Sequence, residues 1–233
     1  MRRSLVLTIA LFLVLPLLAQ DPHAPTAAPP APPSAAAAPE IGPADLWNAL
    51  VQGNKQFVGG TVTYDKLKEE RAILRSSQLP PITVLACSDS RVPPELIFNQ
   101  SLGALFVVRT AGNVADEFGL ASVEYAIAQG YTRLLVVLGH ENCGAVVASL
   151  GGADPATPAL TALAARIRTS FIGIPYDSRD PANVKKAVEM NARAAAAQLL
   201  ASSILIRNAV ATNRIKVITA YYDLASGEVK KIE

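Results

Sequence analysis

The chain is poor in what would let it grip a polyanion or cross a membrane repeatedly. Its 21 basic and 19 acidic residues include no basic run. Setting aside Arg2 and Arg3 at the extreme N-terminus leaves 19 basic residues facing 19 acidic ones. That balance argues against a nucleic-acid partner and against electrostatic adhesion to a membrane. The apolar run from Leu5 to Leu18 has 14 residues, short of the roughly 20 that span a bilayer. No other stretch has transmembrane character, and no internal repeat is present. Scarcest of all are the soft metal ligands: two cysteines and two histidines in 233 residues.

What stands at the N-terminus has the order of a secretory signal. Arg2 and Arg3 form a positive n-region, Leu5 to Leu18 an apolar h-region, and Leu17-Leu18-Ala19 a cleavage site. Residues 1–19 are therefore expected to be a signal peptide, with the protein exported to the periplasm or secreted. The competing reading, a membrane anchor, needs a longer run. Residues 20–43 follow as an Ala/Pro-rich tether, with eight prolines between Asp21 and Pro43 and nothing able to bury a core. Residues 44–233 are long enough for one domain.

Helices are expected over Leu46 to Val58 and Tyr64 to Ser77. Three short apolar, β-branched runs, Ile82 to Ala86, Ala104 to Arg109 and Arg133 to Leu138, have the texture of buried parallel strands. Between the last two, Glu117 to Gln129 carries apolar residues at helical spacing and stops at Gly130, making a β-α-β unit. A long Ala-rich helix follows, capped by Asp180 and opened by Pro181, with Val184, Val188, Ala192, Ala195 and Leu199 on one face. Ile215 to Tyr222 is a last strand, turned by Ala225-Ser226-Gly227 into a C-terminal hairpin. The expected class is α/β: a mainly parallel central sheet flanked by helices, with an N-terminal helical arm.

In a parallel sheet the ligand crevice lies beyond the carboxyl ends of the strands. Cys87 ends the first strand, and His140 and Cys143 follow the third, so the soft ligands outside the tether, where His23 sits, all fall at two strand ends. Cys, His, Cys is a zinc set that leaves a fourth position for water or substrate. The alternative, expected of two cysteines in an oxidising compartment, is a disulfide. Asp89 and Arg91 lie just past the first strand. They read as an exposed ion pair worth under about 1 kcal/mol, as a guanidinium that keeps a carboxylate ionised and aimed at the metal, or as a carboxylate that swings in as fourth ligand. Gly144, a turn candidate, opens Ala145 to Leu150; if that stretch is helical, its first amides could bind an anion such as bicarbonate. Gly112-Asn113 after Arg109 is a tight turn, either lining the same cleft or merely connecting.

At these residues the sequence resembles the β-class carbonic anhydrases. The segments Cys87-Ser88-Asp89-Ser90-Arg91-Val92-Pro93-Pro94-Glu95, Arg109-Thr110-Ala111-Gly112-Asn113 and Gly139-His140-Glu141-Asn142-Cys143-Gly144-Ala145 follow the family's order. The likeness runs from about Leu46, through Gly53-Asn54-Lys55-Gln56-Phe57, to Ala220-Tyr221-Tyr222-Asp223-Leu224. It implies zinc held by Cys87, His140 and Cys143, Asp89 and Arg91 as catalytic dyad, hydration of carbon dioxide to bicarbonate by a zinc-bound hydroxide, and a homodimer or dimer of dimers. Two thiolates donate more charge than imidazoles, so an alkaline optimum is expected. With no second histidine in the domain, buffer or water must carry the proton. Two readings compete: a hydrolase of a CO2 analogue such as carbonyl sulfide or carbon disulfide, and a non-catalytic structural zinc domain.

Overall fold

A computed structural model describes residues 41–152 and 156–232. The expected signal peptide, and the tether up to residue 40, lie outside the described residues.

The first helix, α1 (Pro43–Val58), begins three residues before the expected Leu46 because Pro43 sits at its first position, where a missing N–H and a fixed φ cost nothing. It buries Leu46 and Leu50 and comes unusually close to its neighbour. A Cβ at Gly53 would stand 1.8 Å from the carbonyl oxygen of Phe98. Asn54 next to it donates to the carbonyls of Ile97 (3.1 Å) and Gly227 (2.8 Å) and accepts from the Val229 amide (2.8 Å). One buried amide thus ties the N-terminal helix to the C-terminal hairpin. By contrast α2 (Leu67–Ile73) is half the length expected for Tyr64 to Ser77. It buries no residue and has no side-chain cap, and a helix without a packed face gains little beyond its weak intrinsic propensity.

The sheet contains β1 (Ile82–Cys87), β2 (Leu105–Thr110), β3 (Leu134–His140), β4 (Lys216–Tyr222) and β5 (Val229–Lys231), in the order β2-β1-β3-β4-β5. All pairs are parallel except β4 with β5. Between the strands lie α3 (Pro94–Ile97), α4 (Glu117–Ala128), α5 (Gly144–Leu150), α6 (Pro158–Arg168), α7 (Pro181–Ser202) and α8 (Ile204–Ala211). Both β1 and β3 are buried along their whole length, which is why they lack polar alternation. Successive residues divide between two cores. Val84, Ala86, Val136 and Leu138 face α1 and α3, while Leu85, Leu135 and Val137 face α4, α7 and α8.

Helix α7 starts as expected, the Asp180 carboxylate accepting from the Ala182 amide at 2.9 Å. Its five anticipated apolar residues are all buried. Three helices were not anticipated. Of these α3 is a single turn, α6 is capped by Thr157, and α8 is a continuation of α7 bent by 98° at Ser203, whose extended backbone ends one helix and whose hydroxyl caps the next. No single helix among the described residues is long and apolar enough to cross a membrane.

Candidate metal centre

The register places the site. With Ala86 paired to Leu138, the carboxyl ends of β1 and β3 emerge side by side, carrying Cys87 and His140 as their last residues. The chain after His140 must turn back sharply, and Asn142 does so with φ 48°, a left-handed conformation that asparagine tolerates better than most residues. Cys143 then caps α5 and meets the other two. The donor atoms of Cys87, His140 and Cys143 all lie within 4.8 Å of one another, and all three residues are buried.

Both cysteines are free thiols with sulfurs 3.9 Å apart. A disulfide needs about 2.05 Å, so the pairing considered from sequence is not formed. Two thiolates on one tetrahedral zinc, with Zn–S near 2.3 Å, would stand about 3.8 Å apart. The imidazole fits the same centre. His140 Nδ1 lies 2.9 Å from the Glu141 carbonyl oxygen, which can only accept, so Nδ1 carries the hydrogen and Nε2 presents a lone pair. Nε2 is buried without a hydrogen-bond partner, a costly state that a cation would relieve. The residues present therefore fit a zinc ion.

The two sulfurs are shifted in opposite directions. Cys87 is pulled down to about 4, chiefly by the Cys143 thiol donating to it, with His140 and the amides of Asp89 and Gly112 adding to the effect against burial. Cys143 is pushed the other way by Cys87 and by burial, and the amides of Val146 and Ala145 soften that push. The first amides of α5 thus face a sulfur. At Gly144 itself a Cβ would meet nothing within 4 Å. Gly112 donates its amide to the Cys87 sulfur at 3.3 Å, from a backbone with φ 65°. A Cβ there would lie 2.9 Å from Ile167 Cδ1 and 3.3 Å from Ala145 Cβ, so a close approach and a left-handed backbone both call for glycine.

Asp89 stands at the rim. Arg91 Nε donates to its Oδ1 at 2.9 Å and Nη2 to its Oδ2 at 2.7 Å, and the Arg91 amide adds a third bond at 2.9 Å. These bonds hold the carboxyl well below the usual carboxylate range. Its Oδ2 is 3.9 Å from His140 Nε2, so the carboxylate borders the donor triad while its oxygens are engaged by Arg91.

Three contributors escaped the sequence reading. Arg109 donates to the carbonyls of Cys87 (2.9 Å) and Asp89, stapling the β1 loop. Glu141 accepts from the amides of Leu224 (3.0 Å) and Ala225 (3.2 Å), locking the turn that orients His140. Asn191, buried on α7, donates to the Gly112 carbonyl at 2.7 Å. Arg109 lies in the Arg109-Thr110-Ala111-Gly112-Asn113 motif, a local signal; Glu141 and Asn191 act through contacts at separations of 83 and 79 residues.

The carbonic anhydrase family profile matches residues 82–229, a span containing every residue of this centre. The chain belongs to the β-class carbonic anhydrases. Carbonic anhydrase 2 of Mycobacterium tuberculosis is 44% identical over 120 residues, which are 51% of this chain and 58% of that protein, so the chain spans less than two thirds of this curated relative. Among solved structures, a β-carbonic anhydrase of Coccomyxa in complex with acetazolamide is 25% identical with a TM-score of 0.61, covering 78% of this chain and 84% of that one. A tetrameric β-carbonic anhydrase of Sordaria macrospora, 24% identical, has a TM-score of 0.62 over 80% and 96% of the two chains, a likeness of fold.

Proposed function

We propose that the protein is a zinc-dependent carbonic anhydrase that interconverts carbon dioxide and bicarbonate outside the cytoplasm. The observation that carries this reading is the unpartnered Nε2 of His140, buried beside two free sulfurs and bordered by a carboxylate held in a guanidinium fork. Cys87, His140 and Cys143 would hold the zinc, which would lower the pKa of a water so that hydroxide, the nucleophile toward carbon dioxide, is available.

The chain's own residues then have separate tasks. Ionised Asp89 can only accept hydrogen bonds, so it orients a water hydrogen at the rim and leaves the oxygen lone pair free. Arg91 keeps that carboxylate ionised and fixed through its bidentate contact. The Gly112 amide stabilises charge on the Cys87 sulfur, and the absence of a side chain at Gly144 leaves open space for a small substrate. His140, bonded through Nδ1, is occupied as a ligand, so the released proton passes to buffer or water.

Export rests on the charged, apolar and small-residue order of residues 1–19 and would appear as the protein in an osmotic-shock fraction. A homodimer or dimer of dimers, the assembly that the tetrameric fold neighbour suggests, would appear in sedimentation velocity. The deciding experiment is stopped-flow carbon dioxide hydration by the zinc-loaded mature chain from pH 6.5 to 9. Rapid turnover rising toward alkaline pH is expected. No turnover at any pH with one zinc per chain overturns the reading in favour of a CO2-analogue hydrolase or a structural zinc domain.

A further inference from the structure

A cavity of about 260 Å³ lies between α6 and α7, lined among others by Val114, Arg166, Asn191, Ala194, Ala197 and Gln198. Gly112 stands between it and the Cys87 sulfur, since Asn191 on its wall is the residue that bonds the Gly112 carbonyl. The mechanism proposed above makes no use of it. Of its polar side chains, Asn191 and Thr169 are engaged with the backbone and two others are not. Arg166 and Gln198 are half-buried residues whose side chains have no hydrogen-bond or ion-pair partner among the described residues. The Arg166 guanidinium is free to pair, and a planar guanidinium fork matches an O–C–O group in bidentate fashion. Gln198 adds an amide donor from the α7 side. The remaining lining is largely alanine and valine side chains, which offer a polar ion such as bicarbonate nothing on its far side but which suit a short hydrocarbon tail. The volume falls just under the range usual for drug-sized ligands, about 300–1,000 Å³.

We propose that this cavity is a binding site for a short-chain carboxylate, gripped by Arg166 and Gln198 with its tail against the α7 alanines. The chemistry is ionic at one end and apolar at the other, and it is independent of zinc.

The test is calorimetric titration of the zinc-loaded full chain with sodium butyrate, beside the variants Arg166→Gln and Ala197→Leu. The first removes the charge; the second fills the cavity from an exposed helix position. Saturable binding by the parent chain, weakened at least tenfold in both variants while zinc content and melting temperature stay unchanged, is the expected result. Should Arg166→Gln fold poorly, Ala197→Leu alone decides. No binding by the parent chain overturns the proposal, and so does equal binding by the variants, which would put butyrate at the metal.

Discussion

The site is built from two strand ends that differ in what surrounds them. On the β3 side, His140 and Cys143 are 0% and 1% exposed, and the turn between them is fastened to the segment after β4 through the Glu141 carboxylate. On the β1 side, the side chains of Asp89 and Arg91 are 16% and 53% exposed and are held chiefly by one another and by Arg109. The difference separates two demands. Metal donors must be pre-set in a dry, rigid frame, because each unpaired donor is costly until an ion arrives. Groups that orient substrate and pass protons must reach water. One strand end answers the first demand; the other answers both, with Cys87 inside and Asp89 at the rim.

The sharpest way to break this division is to substitute one residue from each side. His140→Ala removes a buried donor, and the protein is expected to lose stoichiometric zinc by elemental analysis together with essentially all hydration activity. Asp89→Asn keeps the shape of the rim but weakens its hold on a water. It is expected to retain zinc at about one per chain while the rate falls roughly 10–100-fold, as for other residues that orient a metal site without ligating it. If Asp89→Asn released the zinc, the carboxylate would belong with the donors and the division would fail.

A third substitution tests the turn that supports the β1 side. Gly112→Ala forces a left-handed backbone on alanine and drives a methyl to 2.9 Å from Ile167 and 3.3 Å from Ala145. The cost is expected to be about 2–3 kcal/mol, or a drop of roughly 4–12 °C in melting temperature for a domain of this size. Ile167 Cδ1 is the end of a side chain and can retreat, whereas Ala145 lies two residues past Cys143 in the first turn of α5 and cannot move freely. Zinc affinity should therefore fall along with stability, and a variant that melts early yet binds zinc as tightly as the parent would uncouple the two.

How much of this was legible beforehand depends on whether the signal was local. Two of the three short apolar runs became fully buried strands, β1 and β3, and the apolar stripe with a cap became α7, because burial and periodicity are written into neighbouring residues; the third run, β2, stands at the sheet edge with only Val108 buried, a position its own residues do not encode. The three donors were legible because cysteine and histidine are so scarce that their clustering at two strand ends stood out. What stayed hidden was set at long range. The short α2 lost its ends for want of a packing partner, and α8 arose from one extended residue, Ser203, inside an otherwise continuous helical pattern. Glu141, Asn191 and the sulfur-facing amides of α5 acquire their roles only when segments distant in sequence meet.

The smallest expected effect lies on β4, beside the rigid half. Tyr221 pairs with Gly139 in the register, packs in the cluster that contains both cysteines, and has the Lys185 ammonium 5.5 Å from its ring centroid. Burial, with Glu141, Asp223 and Glu189 adding to it, pushes its phenol up to about 12. An unfolded tyrosine ionises near 10, so between pH 10 and 12 the unfolded chain sheds this proton while the folded chain keeps it. The sign follows: the raised value favours folding below about pH 10, and that advantage drains away as pH rises through 12. Tyr221→Phe removes the titration but keeps the packing. Its melting temperature should match the parent's at pH 9 and exceed it slightly at pH 11. If the two proteins declined equally between those pH values, Tyr221 would be ionising as it does in water, and the packing around the β3 side would be looser than its burial implies.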